Sequence, residues 1–219
     1  MPERLILIGF EYSVYTWIVR LALKEFGLEA NYVEANPFAD PPDPVLPRYT
    51  PLGRVPVLMH GDFRLTETAA ILRYLDRLAS GPSRQPGTAK ALARMDQAIG
   101  IGDADVYRIL VRQVFSNGYY WPVVLKEPGS QEVLTQGLAR AAPCLSVLEE
   151  IAAEGLQLAP GQRSLADFHL APMMSYALRV PELAALLPGY PALQGWWEQT
   201  SEWQALRRTD PLADIPGQE

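Results

Sequence analysis

Apolar and polar positions follow one another along this chain in two rhythms, first that of strands and then that of helices. Leu5 to Ile8 is a continuous apolar run ended by Gly9, the pattern of a central strand covered on both faces. Thr16 to Phe26 follows, with Ile18, Leu21, Ala22 and Phe26 on one helical stripe and Gly27 placed to stop it. Tyr32 to Glu34 predicts the next strand, and Asn36 to Pro47, with Pro37, Pro41, Pro42, Pro44 and Pro47, predicts a loop. Two short runs, Val57-Leu58-Met59 and Phe63-Arg64-Leu65, flank the turn His60-Gly61-Asp62 and predict a hairpin. Behind it Ile71, Leu72, Leu75 and Leu78 recur at helical intervals. The order strand, helix, strand, hairpin, helix is a split βαβ-ββα arrangement.

After Leu78 the composition shifts. Ala79 to Gly87, rich in Gly, Pro and Ser, reads as an interdomain linker, and everything beyond it has helical spacing. Ala89 to Phe115 carries Leu92, Met95, Ile99, Val106, Leu110 and Val114, with Gly100 and Gly102 as points of bending or close packing. Glu132 to Ala153 predicts a second long helix that Pro143 kinks or breaks. Ser164-Leu165-Ala166-Asp167 is a short form of the capping box, opening a buried helix over Phe168 to Leu178, and a last helix runs from about Ala192 to Leu206. The expected organisation is an α/β domain over 1–78, a linker over 79–87 and an all-helical domain over 88–219.

A chain of 219 residues with 48% apolar and 20% charged content is ordinary for a soluble globular protein with a proper core. No apolar run approaches the roughly 20 residues that span a bilayer, and the opening Met1-Pro2-Glu3-Arg4 lacks the features of a signal peptide, so a cytoplasmic location is expected. The single cysteine, Cys144, excludes an internal disulfide, suits a reducing compartment and reads as a small buried apolar residue. With only His60 and His169 beside it, no metal site is expected. A net charge of −6 argues against nucleic acid and gives no global attraction for an anionic ligand, which leaves Arg48 and Arg54 as local candidates.

Two stretches hold chemistry. Thr66 is placed to cap the helix behind the hairpin, so Glu67 and Thr68 fall where free N–H groups and the positive end of the helix dipole point outward. Such a pair suits an amino acid, with Glu67 on its ammonium and Thr68 with the backbone N–H groups on its carboxylate. Ser13 stands on the loop leading into the first helix, where either it or Thr16 serves as the cap. A serine hydrolase is not indicated, because there is no G-x-S-x-G turn and no base next to Ser13.

Thr50-Pro51-Leu52-Gly53-Arg54-Val55-Pro56 and Leu65-Thr66-Glu67-Thr68-Ala69-Ala70-Ile71 together resemble the N-P-x-G-x-V-P loop and acidic-Ser/Thr helix start of the glutathione transferases. Thr50 departs from the usual Asn. Ser13-Val14-Tyr15-Thr16 before Arg20-Leu21-Ala22-Leu23 most resembles the serine-type classes, the phi, theta and zeta groups, in a bacterial kind of member. The resemblance implies a thioredoxin-like N-terminal domain with an all-α C-terminal domain, glutathione as co-substrate, and a homodimer in which the third helix of one subunit meets the C-domain of the other. It implies a cis Pro56, a Val55 backbone that holds the cysteinyl part, Arg54, Glu67 and Thr68 on the tripeptide, and Ser13 on its sulfur. The implied reaction is conjugation of glutathione to a small hydrophobic electrophile. Peroxidase, dehalogenase or isomerase activity, or a non-catalytic interaction module, is the alternative.

The physics is compatible with that role for Ser13. A free thiol with a pKa of about 8.5 is only a few per cent thiolate at pH 7. A hydroxyl bond to charged sulfur worth about 1.5–3 kcal/mol, with about 0.3–1 from the helix end, lowers that pKa by roughly one to three units. Serine in place of cysteine argues against disulfide exchange, and Ser13-Val14-Tyr15 in place of Ser-Ser-Cys argues against the zeta isomerases. Tyr12 and Tyr15 flank the site. Tyr107, Val111, Phe115 and the cluster Tyr119-Tyr120-Trp121 are the expected walls of an electrophile pocket where the first helix loop faces the first long C-domain helix, with Arg108 or Arg112 near an anionic substrate. Trp196, Trp197 and Trp203 read as core and lid packing.

Overall fold

The computed structural model describes residues 4–161 and 163–215. They fall into two compact units. The first runs through Ser83 and includes Arg208–Leu212; the second holds Arg84–Arg207 and the residues from Ala213 onward. The return of 208–212 to the first unit differs from the expected single domain over 88–219.

The first unit contains β1 (Leu5–Gly9), α1 (Val14–Phe26), β2 (Ala30–Glu34), α2 (Leu46–Tyr49), β3 (Val57–His60), β4 (Phe63–Leu65) and α3 (Thr68–Leu78). The sheet order is β2-β1-β3-β4, with β1 and β2 parallel and the other pairings antiparallel. β1 is central, and its unbroken apolar run has the expected cause. On one face Leu7 of β1, Trp17, Ile18 and Leu21 of α1 and Ile71, Leu72 and Leu75 of α3 are all essentially solvent-free, and α1 packs against α3. On the other, Ile8 and Val57 cluster with Ala35 and Leu46. Loop 36–47 therefore ends in structure rather than in open coil: Leu46 is buried in α2, and Pro47 stands in its first turn, where a missing N–H removes no helix bond. Asp43 braces the loop by accepting the backbone N–H groups of Asn36 at 2.9 Å and Val45 at 2.7 Å. The tail is tied in by Trp17, whose indole N–H donates to the Thr209 hydroxyl at 2.9 Å in the buried interior.

The second unit is helical. α4 (Ala89–Ile101) continues directly into α5 (Gly102–Leu125), which is wound as a π-helix, ten residues past the expected end at Phe115. A Cβ at Gly102 would lie 3.1 Å from Leu170 and 3.2 Å from the His169 ring, so glycine here permits close packing. His169 is fully buried and bonds Asp103 at 2.8 Å through Nε2. The long helix expected over 132–153 is broken at Arg140 into α6 (Gln131–Ala139) and α7 (Ala141–Glu154), which places Pro143 in the tolerant first turn of α7.

α8 (Leu165–Ala177) is covered on nearly every side. Its capping box is formed: Ala166 N–H donates to Ser164 Oγ at 3.2 Å and Ser164 N–H to Asp167 Oδ2 at 2.7 Å. The Trp196 indole N–H reaches the other Asp167 oxygen at 2.7 Å, and Ser164 Oγ bonds Gln157. Short α9 (Pro181–Ala184) and a 3₁₀ turn (Leu187–Gly189) precede α10 (Pro191–Ser201) and α11 (Gln204–Thr209). The last two replace the single helix expected over 192–206. Trp203 stands in the break with its ring edge-on to Phe168 at 4.8 Å, and burying that ring is what the interruption achieves. Among the described residues no helix is long and apolar enough to cross a membrane.

Candidate functional site

The strand register gathers the candidate residues at one end of the sheet. Gly9, the last residue of β1, pairs with Glu34 at the end of parallel β2, and Ile8 pairs with Val57 at the start of antiparallel β3. Leu65 closes β4 opposite Leu58. The Ser13 loop after β1, the Phe38 loop after β2, the Arg54-Val55-Pro56 loop before β3 and the Glu67 turn after β4 all leave from that edge.

Ser13 is the N-cap of α1. Its backbone is extended (φ −70°, ψ 122°), and its Oγ accepts the Thr16 N–H at 3.3 Å. Because the oxygen already accepts, its proton is the group left to donate to an incoming partner. The turn beneath is knitted by Ser13 N–H to Phe10 C=O at 3.0 Å and Phe10 N–H to Thr16 Oγ1 at 3.3 Å. Thr16, fully buried, presses so closely on Gly9 that a Cβ there would lie 2.4 Å from its methyl group. Ser13 and Thr16 thus share the capping task that either residue could have filled alone.

Phe10 and Tyr12 meet edge to face at 5.7 Å, and Phe10 and Phe38 at 6.1 Å. Phe38 is 64% exposed. Neither phenylalanine was singled out from sequence; an aromatic next to a Gly-ended strand and another in a proline-rich loop gave the only signal. The Tyr12 hydroxyl is pushed to higher pKa by burial and then by the Glu11 and Glu34 charges, so it is a neutral donor at physiological pH. Tyr15 is half-buried in α1.

The Glu67 turn corrects one expectation. Glu67, rather than Thr66, is the N-cap of α3, with φ 65° and ψ 115°, and its side chain makes no capping hydrogen bond to the first turn. The positive φ turns the chain one residue later than the sequence pattern placed it, and for glutamate that is a strained conformation. Thr68 becomes the first helical residue and is buried, and the first-turn N–H groups face outward. Arg54 approaches Glu67 at 3.7 Å, both side chains about two-thirds exposed. Val55–Pro56 is cis, as is Asp40–Pro41.

In the helical unit Tyr107 is half-buried, its hydroxyl pKa raised chiefly by burial. Val111 is buried, and Phe115 is a core ring, 3% exposed and stacked on Tyr176 at 4.2 Å rather than facing an open pocket. Tyr119 is buried under the Arg179 guanidinium at 5.4 Å, whereas Trp121 is exposed. Arg108 pairs with Asp105 at 3.5 Å on the solvent face. Trp196 and Trp203 are buried, Trp197 half-buried. Cys144 is buried, and burial pushes its thiol up.

Comparison with known proteins gives a consistent result. Residues 7–83 match the family model described as glutathione S-transferase, N-terminal domain. Glutathione S-transferase 1 of Zea mays is 26% identical over 192 residues, covering 87% of this chain and 88% of its own. Glutathione S-transferase theta-1 of Bos taurus is 39% identical over 100 residues, covering 45% of this chain and 41% of its own. The solved structure of glutathione S-transferase I from mais, in complex with an atrazine glutathione conjugate, superposes with a TM-score of 0.80 at 25% identity, covering 99% of this chain and all of that one.

Proposed function

We propose that this chain is a glutathione transferase, as its similarity to that family suggests, and that Ser13 holds the glutathione sulfur as thiolate for attack on a small hydrophobic electrophile. The observation that carries the reading is the Ser13 hydroxyl itself: its oxygen is engaged by the Thr16 amide, which leaves its proton to donate to an incoming partner. The thiol proton passes to solvent, and the thiolate, stabilised by that donor and by the helix end, forms a bond to electrophilic carbon while the leaving group departs with its electron pair. Glu67 takes the ammonium of the γ-glutamyl group. Thr68 and the first-turn N–H groups take its carboxylate, and the Val55 backbone before cis Pro56 aligns the cysteinyl part. Arg54, now resting against Glu67, completes the tripeptide site, and Tyr12 and Tyr15 flank the sulfur.

The protein acts in the cytoplasm as a homodimer. Leu52 and Phe63, 63% and 50% exposed, give the first unit an apolar surface suited to a second copy. Sedimentation at micromolar concentration is expected to give twice the 24.3 kDa of one chain.

Retention on immobilised glutathione together with turnover of a chlorinated nitroaromatic tests the reaction. The wild type is retained and releases chloride, and Ser13→Ala is retained but turns over roughly 8- to 30-fold more slowly near neutral pH, because a thiol returned to its free pKa is still a few per cent thiolate there. Full turnover by Ser13→Ala, or none by the wild type, overturns the reading.

A further inference from the structure

The turn that delivers Ser13 is held from a second strand. Phe10 C=O accepts the Ser13 N–H at 3.0 Å, so residues 10–13 form a β-turn with Glu11 and Tyr12 at its centre. The N–H of the first central residue takes no part in the hydrogen bond that closes such a turn and looks outward for an acceptor. Glu34 supplies one: the Glu11 N–H donates to Glu34 Oε1 at 3.2 Å.

The strand register puts Glu34 within reach. Gly9 pairs with Glu34, and the Ala35 N–H donates to Gly9 C=O at 2.7 Å, so β1 and β2 are still locked together where the turn begins. Alternate residues of a strand share a face, which places Tyr32 on the same side as Glu34. The Tyr32 hydroxyl donates to Glu34 Oε2 at 2.6 Å, and the Arg20 guanidinium of α1 lies 6.0 Å from the centre of the Tyr32 ring. Burial, and after it the bond to Glu34, push the Tyr32 hydroxyl to higher pKa, so it stays a donor at physiological pH. The contacts close a ring: α1 meets Tyr32 through Arg20, Tyr32 orients Glu34, Glu34 holds the turn, and the turn leads through Ser13 back into α1. The Glu34 charge also reaches Tyr12, the neighbour of Ser13, whose hydroxyl is pushed up by burial, then Glu11, then Glu34. An anion there opposes the ionisation of a nearby sulfur, so what Glu34 contributes to the site is geometry and not charge.

We propose that Glu34 is a positioning residue for Ser13: oriented by Tyr32, its carboxylate holds the Glu11 amide and so fixes the 10–13 turn that presents the Ser13 hydroxyl. The bond from the Glu11 amide is charge-assisted, and its work is to narrow the orientations open to an exposed turn. The inference rests on the thiolate role proposed for Ser13.

The pKa of enzyme-bound glutathione, read from the ultraviolet absorbance of its thiolate in variants of the full chain, tests it. Glu34→Ala loses acceptor and charge together and is expected to raise that pKa by about 0.5 to 1, which lowers turnover of the chlorinated nitroaromatic roughly three- to tenfold at pH values below the wild-type pKa. Glu34→Gln keeps an oxygen for the Glu11 amide and removes the charge, so its pKa is expected to match the wild type or fall below it. Tyr32→Phe keeps the charge and removes the orienting hydroxyl, and its pKa is expected to rise, by less than in Glu34→Ala. The signs separate the roles. A carboxylate acting through its charge lowers the pKa when either substitution removes it, and one acting on stability alone moves the thermal midpoint and leaves the pKa in place; either pattern overturns the proposal. Ser13→Ala is the reference. An unchanged pKa in that variant overturns the thiolate role and this inference together, whereas a raised pKa in Ser13→Ala beside a wild-type value in Glu34→Ala overturns this inference alone.

Discussion

The Thr16 side chain makes the least obvious contribution at the level of single residues, since it touches Ser13 only through its backbone yet determines the shape of the turn that aims the Ser13 hydroxyl. Its Oγ1 takes the Phe10 amide and its methyl group fills the space against Gly9. Thr16→Val is expected to orphan the Phe10 N–H, costing about 1–3 kcal/mol, and to raise the pKa of bound glutathione, read from the ultraviolet absorbance of the thiolate. Thr16→Ser, which keeps the acceptor, is expected to restore the pKa; an unchanged pKa in the valine variant would leave Thr16 a packing residue only. Glu67 poses a different question, because Arg54 already faces it. An exposed pair at 3.7 Å contributes at most about 1 kcal/mol, so an ammonium displaces the guanidinium readily. Glu67→Ala is expected to raise the KM for glutathione by roughly tenfold, with kcat at saturating glutathione retained.

Among the elements, the stretch between β2 and β3 shows how a proline-rich segment becomes ordered. Asp43 accepts backbone N–H groups, chiefly those of Val45 and Asn36, and they hold its carboxyl below the usual carboxylate range. A depressed carboxylate contributes stability that is present above the unfolded pKa of about 3.9 and is lost as pH falls through the folded value. The order of loop 36–49 is therefore expected to persist near neutrality and to fail on acidification, with proteolytic nicking near Phe38 as the readout. In Asp43→Ala the nicking is expected at neutral pH as well. The hairpin, α1 and a break close to Pro143, which falls at Arg140, were legible because alternation, helical spacing and a missing N–H act locally. The cap of α3 was not, because a positive φ at a glutamate is imposed by the turn it must complete and leaves no mark in residue type.

At the scale of the whole chain, the helical unit is tied through one carboxylate. Asp167, 2% exposed, accepts from Ser164 N–H and the Trp196 indole, joining the start of α8 to α10, while burial pushes its carboxyl up. Asp167→Ala leaves both donors unpaired and is expected to cost about 2–4 kcal/mol. The thermal midpoint should then fall by roughly 4–16 °C at about 2–4 °C per kcal/mol; a fall under one degree would show that Ser164 alone caps the helix. Residue type and spacing by themselves determined the α/β-then-helical architecture and the strand and helix order of the first unit, since these depend on neighbours within a few positions. The tertiary structure decided what depends on distant partners. Thr209 returns beneath Trp17, Phe115 turns toward Tyr176, and Phe38 comes beside Phe10. Each of these contacts joins residues far apart in sequence, and only the packing of whole elements selects which of many apolar partners a ring or indole meets.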